Sequence, residues 1–145
     1  MANKSERHRL SLIMATLGPS TDNEKELLTM ITAGIARQWT DGVDIARVVY
    51  NDGEETVINR VNIFRDQCSK RNFDTSVYLD TDDTDTKNFE KYLSLAKVIN
   101  PKYLSIPKTF GLDMISEAKK HFKNQMLVGV RVKKNDDISD IESYF

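Results

Sequence analysis

Apolar and polar positions alternate along this chain in two rhythms that take turns. Leu10–Ala15 is an apolar run that reads as a buried strand, closed by a turn at Gly18 and Pro19. Thr21 followed three residues later by Glu24 has the form of a capping box, and Leu27, Leu28 and Ile31 then line one side of a helix that Gly34 is placed to stop. Residues 35–41 carry Trp39 and fit either an extra turn or a raised loop. Val43–Tyr50, rich in β-branched residues, predicts a second strand, and Asn51, Asp52 and Gly53 a turn. Glu54 and Glu55, with Val57, Val61 and Phe64 behind them, predict a helix to about Lys70.

The rhythm then repeats. Phe73–Leu79 predicts a third strand and residues 80–86 a polar loop. Phe89, Tyr92, Leu93, Ala96 and Ile99 stand at helical spacing, and the helix must end before Pro101. Tyr103–Ile106 is the fourth strand, Leu112–Phe122 the fourth helix and Met126–Val132 the fifth strand. Ile138, Ile141 and Phe145 predict a last helix, with Asp136 or Asp137 as its cap. The fold class is therefore α/β: about five parallel strands alternating with helices, joined by right-handed crossovers. A doubly wound open sheet and a partial (β/α)8 (TIM-like) barrel both suit this order. A whole barrel needs roughly 250 residues, and the chain has 145.

Composition narrows the setting. With 39% apolar and 30% charged residues the chain is long enough for one core, expected over residues 10–145, behind a flexible basic arm at 1–9 that holds Lys4, Arg7, His8 and Arg9. Its apolar runs are far shorter than the roughly 20 residues that span a bilayer, and no signal-like run follows the first residues. Cys68 is the one cysteine and cannot form an internal disulfide, which fits a cytoplasmic location. A formal net charge of −1 gives no general attraction to membrane or nucleic acid.

Candidate chemistry is sparse. The two histidines, His8 and His121, lack a partner arrangement for acid–base catalysis, and neither zinc spacing nor a phosphate-cradling glycine loop occurs. Asp80, Asp82, Asp83 and Asp85 alternate as calcium ligands can, but Asp85 stands where the calcium loop needs glycine and Lys91 where it needs glutamate. A solvated acidic loop is the plainer reading; no metal and no cofactor are expected. Arg47, at the end of a strand, either pairs with an acidic loop residue such as Asp80 or joins Asp80 and Thr81 in a small-anion site, since ligands of α/β folds bind at strand C-termini. Trp39 fits the core or a contact with another chain, and Tyr144 with Phe145 could close an exposed edge or dock on a partner.

Three segments carry a resemblance. Residues 12–22 read LIMATLGPSTD, residues 43–53 read VDIARVVYNDG, and residues 77–81 read VYLDT. In this order they resemble the opening strands of the pyruvate kinase family, with an insertion of about seven residues around Trp39. The resemblance implies a truncated N-terminal part of that family's barrel, without the covering domain inserted after the third strand. It matches Arg47 to an arginine at the substrate phosphate, and Asp80 and Thr81 to residues that help hold a potassium ion. Other matched positions depart from the family: Val49 and Asn51 stand for an asparagine and a serine that bind potassium, Asp82 for a lysine, and Arg131 and Lys133 for a lysine and a metal-binding glutamate. Phosphoryl transfer needs cations to neutralise developing charge, so the family's reaction is not expected here.

The expectation is thus a non-catalytic, pyruvate-kinase-like binding or regulatory module acting through protein contacts, with a protein partner or a second copy of itself. A part-barrel leaves open sheet edges that favour such association. The alternative is a small enzyme or sensor that binds a phosphorylated or carboxylated metabolite near Arg47, Asp80 and Thr81.

Overall fold

The computed structural model describes residues 11–33, 42–82 and 85–144. Trp39, Phe145, the arm at 1–9 and the expected helix stop at Gly34 lie outside the described residues. Five strands, β1 (Met14–Thr16), β2 (Ile45–Val49), β3 (Ser76–Asp80), β4 (Tyr103–Pro107) and β5 (Leu127–Arg131), alternate with four helices, α1 (Glu24–Thr32), α2 (Glu54–Ser69), α3 (Phe89–Ile99) and α4 (Leu112–His121). All neighbouring strands are parallel and the order across the sheet is β1-β2-β3-β4-β5. Each connection moves one place in the same direction, so the sheet has no point at which its order reverses, as a doubly wound sheet must. This single winding is consistent with an open or partial (β/α)8-barrel sheet.

Right-handed crossovers put successive helices of such a sheet on one face, and burial agrees. Ala46, Val48, Val77, Leu79, Leu104 and Ile106 alternate along the three middle strands and are all buried, packed in one cluster with Leu27 and Ile31 of α1, Val57, Val61 and Phe64 of α2, Tyr92, Leu93 and Ala96 of α3, and Ile115 and Ala118 of α4. The residues between them point to the other face, where Met14, Arg47, Tyr78, Tyr103 and Leu127 keep some exposure.

Local chemistry moves several element ends. Among the described residues the first strand begins at Met14: the Ile13 N–H donates to the Asp44 carboxylate (2.7 Å) instead of to a backbone carbonyl, and the ladder to β2 starts with the Ile13 carbonyl. Thr21 does not cap α1: its hydroxyl serves Gly18 in a short 3-10 turn at Pro19–Thr21, and the cap is Asn23, whose side chain accepts from the Lys25 N–H at 2.8 Å. The last expected helix is only a 3-10 turn, Ile141–Tyr144. Asp136 and Asp137 each accept a nearby backbone N–H, from Lys133 and Ser139, which forms tight turns there instead of helix.

Side-chain ties then clamp the helices. Arg60 of α2 is buried and its guanidinium holds Asp22 ahead of α1, with Nε to Oδ1 at 2.6 Å. This ion pair lowers the Asp22 carboxyl below its ordinary range, chiefly through the hydrogen bond. Arg65 donates to the Ile99 and Asn100 carbonyls, closing the C-terminus of α3, where Asn100 takes the left-handed conformation at φ 48°.

Candidate functional site

Side chains from β2, β4 and β5 converge on one carboxylate at the C-terminal end of β3. Asp80, the last residue of β3, is 3% exposed. Arg47 of β2 reaches its Oδ2 with both Nε (2.9 Å) and Nη2 (2.6 Å), and Nη1 of the same guanidinium donates to Thr16 Oγ1 of β1 at 3.1 Å. The other oxygen, Oδ1, accepts the Thr81 N–H at 2.9 Å and the Ser105 hydroxyl of β4. Arg131, at the end of β5, brings Nη1 to 3.5 Å from the same oxygen and to 2.5 Å from the Thr81 carbonyl, while its Nη2 pairs with Asp82. Thr81 itself is buried, its hydroxyl donating to Asn51 Oδ1 at 3.3 Å.

Parallel register is what assembles this group. Val49 faces Asp80 across the β2–β3 pair, Arg47 lies two residues lower on the same face, and Pro107 faces Arg131 across β4–β5. Their long side chains bridge the remaining gap. A carboxylate offers about four acceptor positions, and Asp80 spends its own on two arginines, a hydroxyl and a backbone N–H. Proton abstraction or metal ligation by Asp80 would require releasing these partners. Two guanidinium charges face two carboxylates, so the cluster balances; Asp82, half exposed, is the member nearest to solvent.

Tyr92 of α3 backs the cluster. Its hydroxyl, fully buried, lies 3.0 Å from the Leu79 carbonyl and 2.8 Å from the Ser105 carbonyl, where it wedges the ends of β3 and β4. Burial, reinforced by the nearby Asp80 charge, pushes its phenol well above the ordinary tyrosine value, so it stays a donor.

The structure therefore brings Arg47, Asp80 and Thr81 together, and adds Arg131, Ser105 and Thr16, which the sequence reading did not assign to the group. Arg131 carried one legible signal, a cationic side chain at the end of an apolar strand. The acidic run is not a single cluster among the described residues: Asp80 and Asp82 face arginines, and Asp85 accepts the Lys87 N–H at 3.0 Å. Tyr144 is buried, with Lys108 over its ring at 5.4 Å and Lys119 donating to its carbonyl, so its side chain belongs to the chain's own core. Cys68 is buried in α2.

A different feature marks the flanks of the sheet. Among the described residues, five of the eight large hydrophobic side chains that stand exposed (Leu12, Ile13, Met14, Leu127 and Val132) lie on or beside the two edge strands. No described helix is long and apolar enough to cross a membrane. No known family's sequence model matches the chain, and no curated protein matches it.

Proposed function

We propose that this chain is a non-catalytic association module, a partial (β/α) barrel that binds protein through its sheet edges and uncovered face. The concentration of exposed apolar side chains on β1 and β5 carries the reading, because surfaces of this kind mark interaction sites and open edges offer unpaired backbone groups. The resemblance of residues 12–22 and 43–53 to the opening strands of pyruvate kinase supports the part-barrel element of it. The saturation of Asp80 by its own neighbours supports the non-catalytic element.

Affinity capture with the tagged chain, run beside a Leu127→Lys variant in a lysate of the cells that make it, tests the reading. The expected result is a protein, whether a copy of this chain or another species, retained stoichiometrically by the native bait and lost from the variant. Retention of nothing, or equal retention by both baits, would overturn it.

One observation favours a second reading. Asp82 places a half-exposed carboxylate on Arg131, beside Arg47, in the position a carboxylated or phosphorylated metabolite would take by displacing it. In this reading the chain is a metabolite sensor at Arg47, Asp80 and Thr81. Titration with inorganic phosphate and a set of small phosphorylated and dicarboxylic acids, followed by NMR, decides. Saturable shifts abolished by Arg47→Ala in a folded protein are expected; no shift with any of them removes the reading.

A further inference from the structure

The two edges of this sheet complement each other. On β1, the Ile13 carbonyl accepts from Ile45 N–H and Leu17 N–H donates to the Arg47 carbonyl, so residues 13, 15 and 17 turn their backbone groups toward β2. Backbone groups alternate along a parallel strand, which leaves those of Met14 and Thr16 pointing away from the sheet. On β5, Leu127 N–H donates to the Lys102 carbonyl, so Leu127, Gly129 and Arg131 face β4 and the groups of Val128 and Val130 point away. Each edge thus offers two consecutive sets of outward donors and acceptors, and both strands run in the same direction.

One copy cannot exploit this match. Its edges are separated by four strand spacings of about 4.8 Å, roughly 19 Å in all. We infer that the partner is a second copy of this chain, with β5 of each copy pairing in parallel with β1 of the other, so that two five-stranded sheets close into a single ten-stranded barrel. The inference rests on the association reading above and names its partner. A two-fold axis along the barrel makes both junctions at once and leaves no edge open.

The outward groups set the parity of the pairing, and the open space at Gly129 selects one register among those they allow. Met14 N–H donates to the Val128 carbonyl of the other copy, Val130 N–H to the Met14 carbonyl, and Thr16 N–H to the Val130 carbonyl. Met14 then sits opposite Gly129, and Ala15 opposite Val130. Side chains agree with this pairing. Met14, Thr16, Gly129 and Arg131 share the uncovered face, and Ala15 and Val130 share the helix face. Gly129 has open space where a Cβ would stand, which leaves room for the Met14 side chain. The exposed side chains of Leu12, Met14 and Leu127 become buried at the junctions, which supplies the apolar area that backbone pairing alone lacks. Charge permits the closure as well. Arg47 and Arg131 face Asp80 and Asp82 within each copy, so two such clusters meet across the lumen without a net charge between them.

The test uses the purified 145-residue chain alone. Sedimentation equilibrium from low to high micromolar concentration is expected to show a species of twice 16.6 kDa. Leu127→Lys, at a side chain that is 63% exposed and outside the core, is expected to weaken the dimer roughly tenfold or more while circular dichroism stays native, because the ammonium group would be buried without a partner. The double variant Met14→Cys, Gly129→Cys is expected to form interchain disulfides on mild oxidation and to run as a covalent dimer, with the native chain as the control for Cys68. Within one copy these two positions are too far apart to bridge. A chain that is monomeric throughout, or a dimer that forms no disulfide between 14 and 129, overturns the inference. If the monomeric chain still retains another protein in a manner that Leu127→Lys abolishes, the association reading stands and only the choice of partner fails.

Discussion

The middle of the sheet and its two flanks are built from similar residues and hold them differently. β2, β3 and β4 bury Val48, Leu79 and Ile106 completely against the helices, and their other face is crossed by Arg47, Asp80, Ser105 and Arg131 in a closed set of hydrogen bonds. β1 and β5 leave Met14 47% and Leu127 63% exposed. A parallel strand is stable when both of its faces and both of its edges are occupied. The middle strands have both edges paired inside one chain, and the outer ones have one each. The contrast locates stability in the centre and unsatisfied binding capacity at the rim.

The sharpest way to break the contrast is one substitution made in both places. Leu79→Ala is expected to cost about 3–4 kcal/mol by opening a cavity in the core. Leu127→Ala, in a dilute sample where association contributes nothing, should stay within about 0.5 kcal/mol. Urea unfolding of the two variants reads both values, and equal losses would mean that the flanks are as tightly built as the centre.

Asp80→Ala removes the one carboxylate shared by Arg47 and Arg131 and leaves the Ser105 hydroxyl without its acceptor. The expected loss is about 3 kcal/mol. A loss below about 1 kcal/mol would mean that the two half-buried guanidiniums reach water freely. Gly42→Ala is expected to cost about 2 kcal/mol. A Cβ there would lie 2.3 Å from the Met30 carbonyl oxygen, so β2 or α1 must shift, and thermal unfolding checks it.

Smaller effects sharpen the picture around the cluster. Tyr92→Phe keeps the ring in place and removes the hydroxyl between the Leu79 and Ser105 carbonyls, for an expected loss of about 1 kcal/mol. Amide exchange in β3 and β4 should quicken more than in β1. The smallest change concerns pH. Asp22 has its carboxyl lowered by Arg60, so its contribution is present above the unfolded-state value of 3.8 and is lost as pH falls through the lower folded-state value. Because Asp22 is 44% exposed, solvent screening holds the effect below about 1 kcal/mol. Asp22→Asn should flatten the acid limb of a stability curve between pH 5 and 2 by that amount, taking those limits as about the range over which such a carboxylate titrates. An unchanged acid limb would assign the acid sensitivity to other groups.

Legibility followed the range of the interactions. α3 was readable to its last residue because Phe89, Tyr92, Leu93, Ala96 and Ile99 mark one face and Pro101 forbids continuation. The cap of α1 was misplaced onto Thr21 because two adjacent capping patterns compete, and the turn at Gly18 takes the threonine hydroxyl. The last helix was overestimated because Ile138 and Ile141 carry helical spacing, while Asp136 and Asp137 bind nearby backbone N–H groups and favour turns. Within the site, Asp80 and Thr81 were legible as polar residues ending an apolar strand, and Arg47 as a charge inside one. Ser105 was not, and Arg131 was marked only as a cation ending an apolar strand, since nothing local ties residues 25 and 51 positions from Asp80 to its carboxylate.

The sequence by itself determined the alternation of strand and helix, the parallel direction that such alternation requires and most of the helix residues that face the core. These follow from periodicity and turn chemistry, which act over a few residues. Only the tertiary structure decided that the strands lie in the order they are made, that three of them aim polar groups at Asp80 on a fourth, and that the apolar surplus collects on the two edges. Strand order, register and exposure depend on which segments meet across the sheet, and a linear pattern of residues contains no direct record of those meetings.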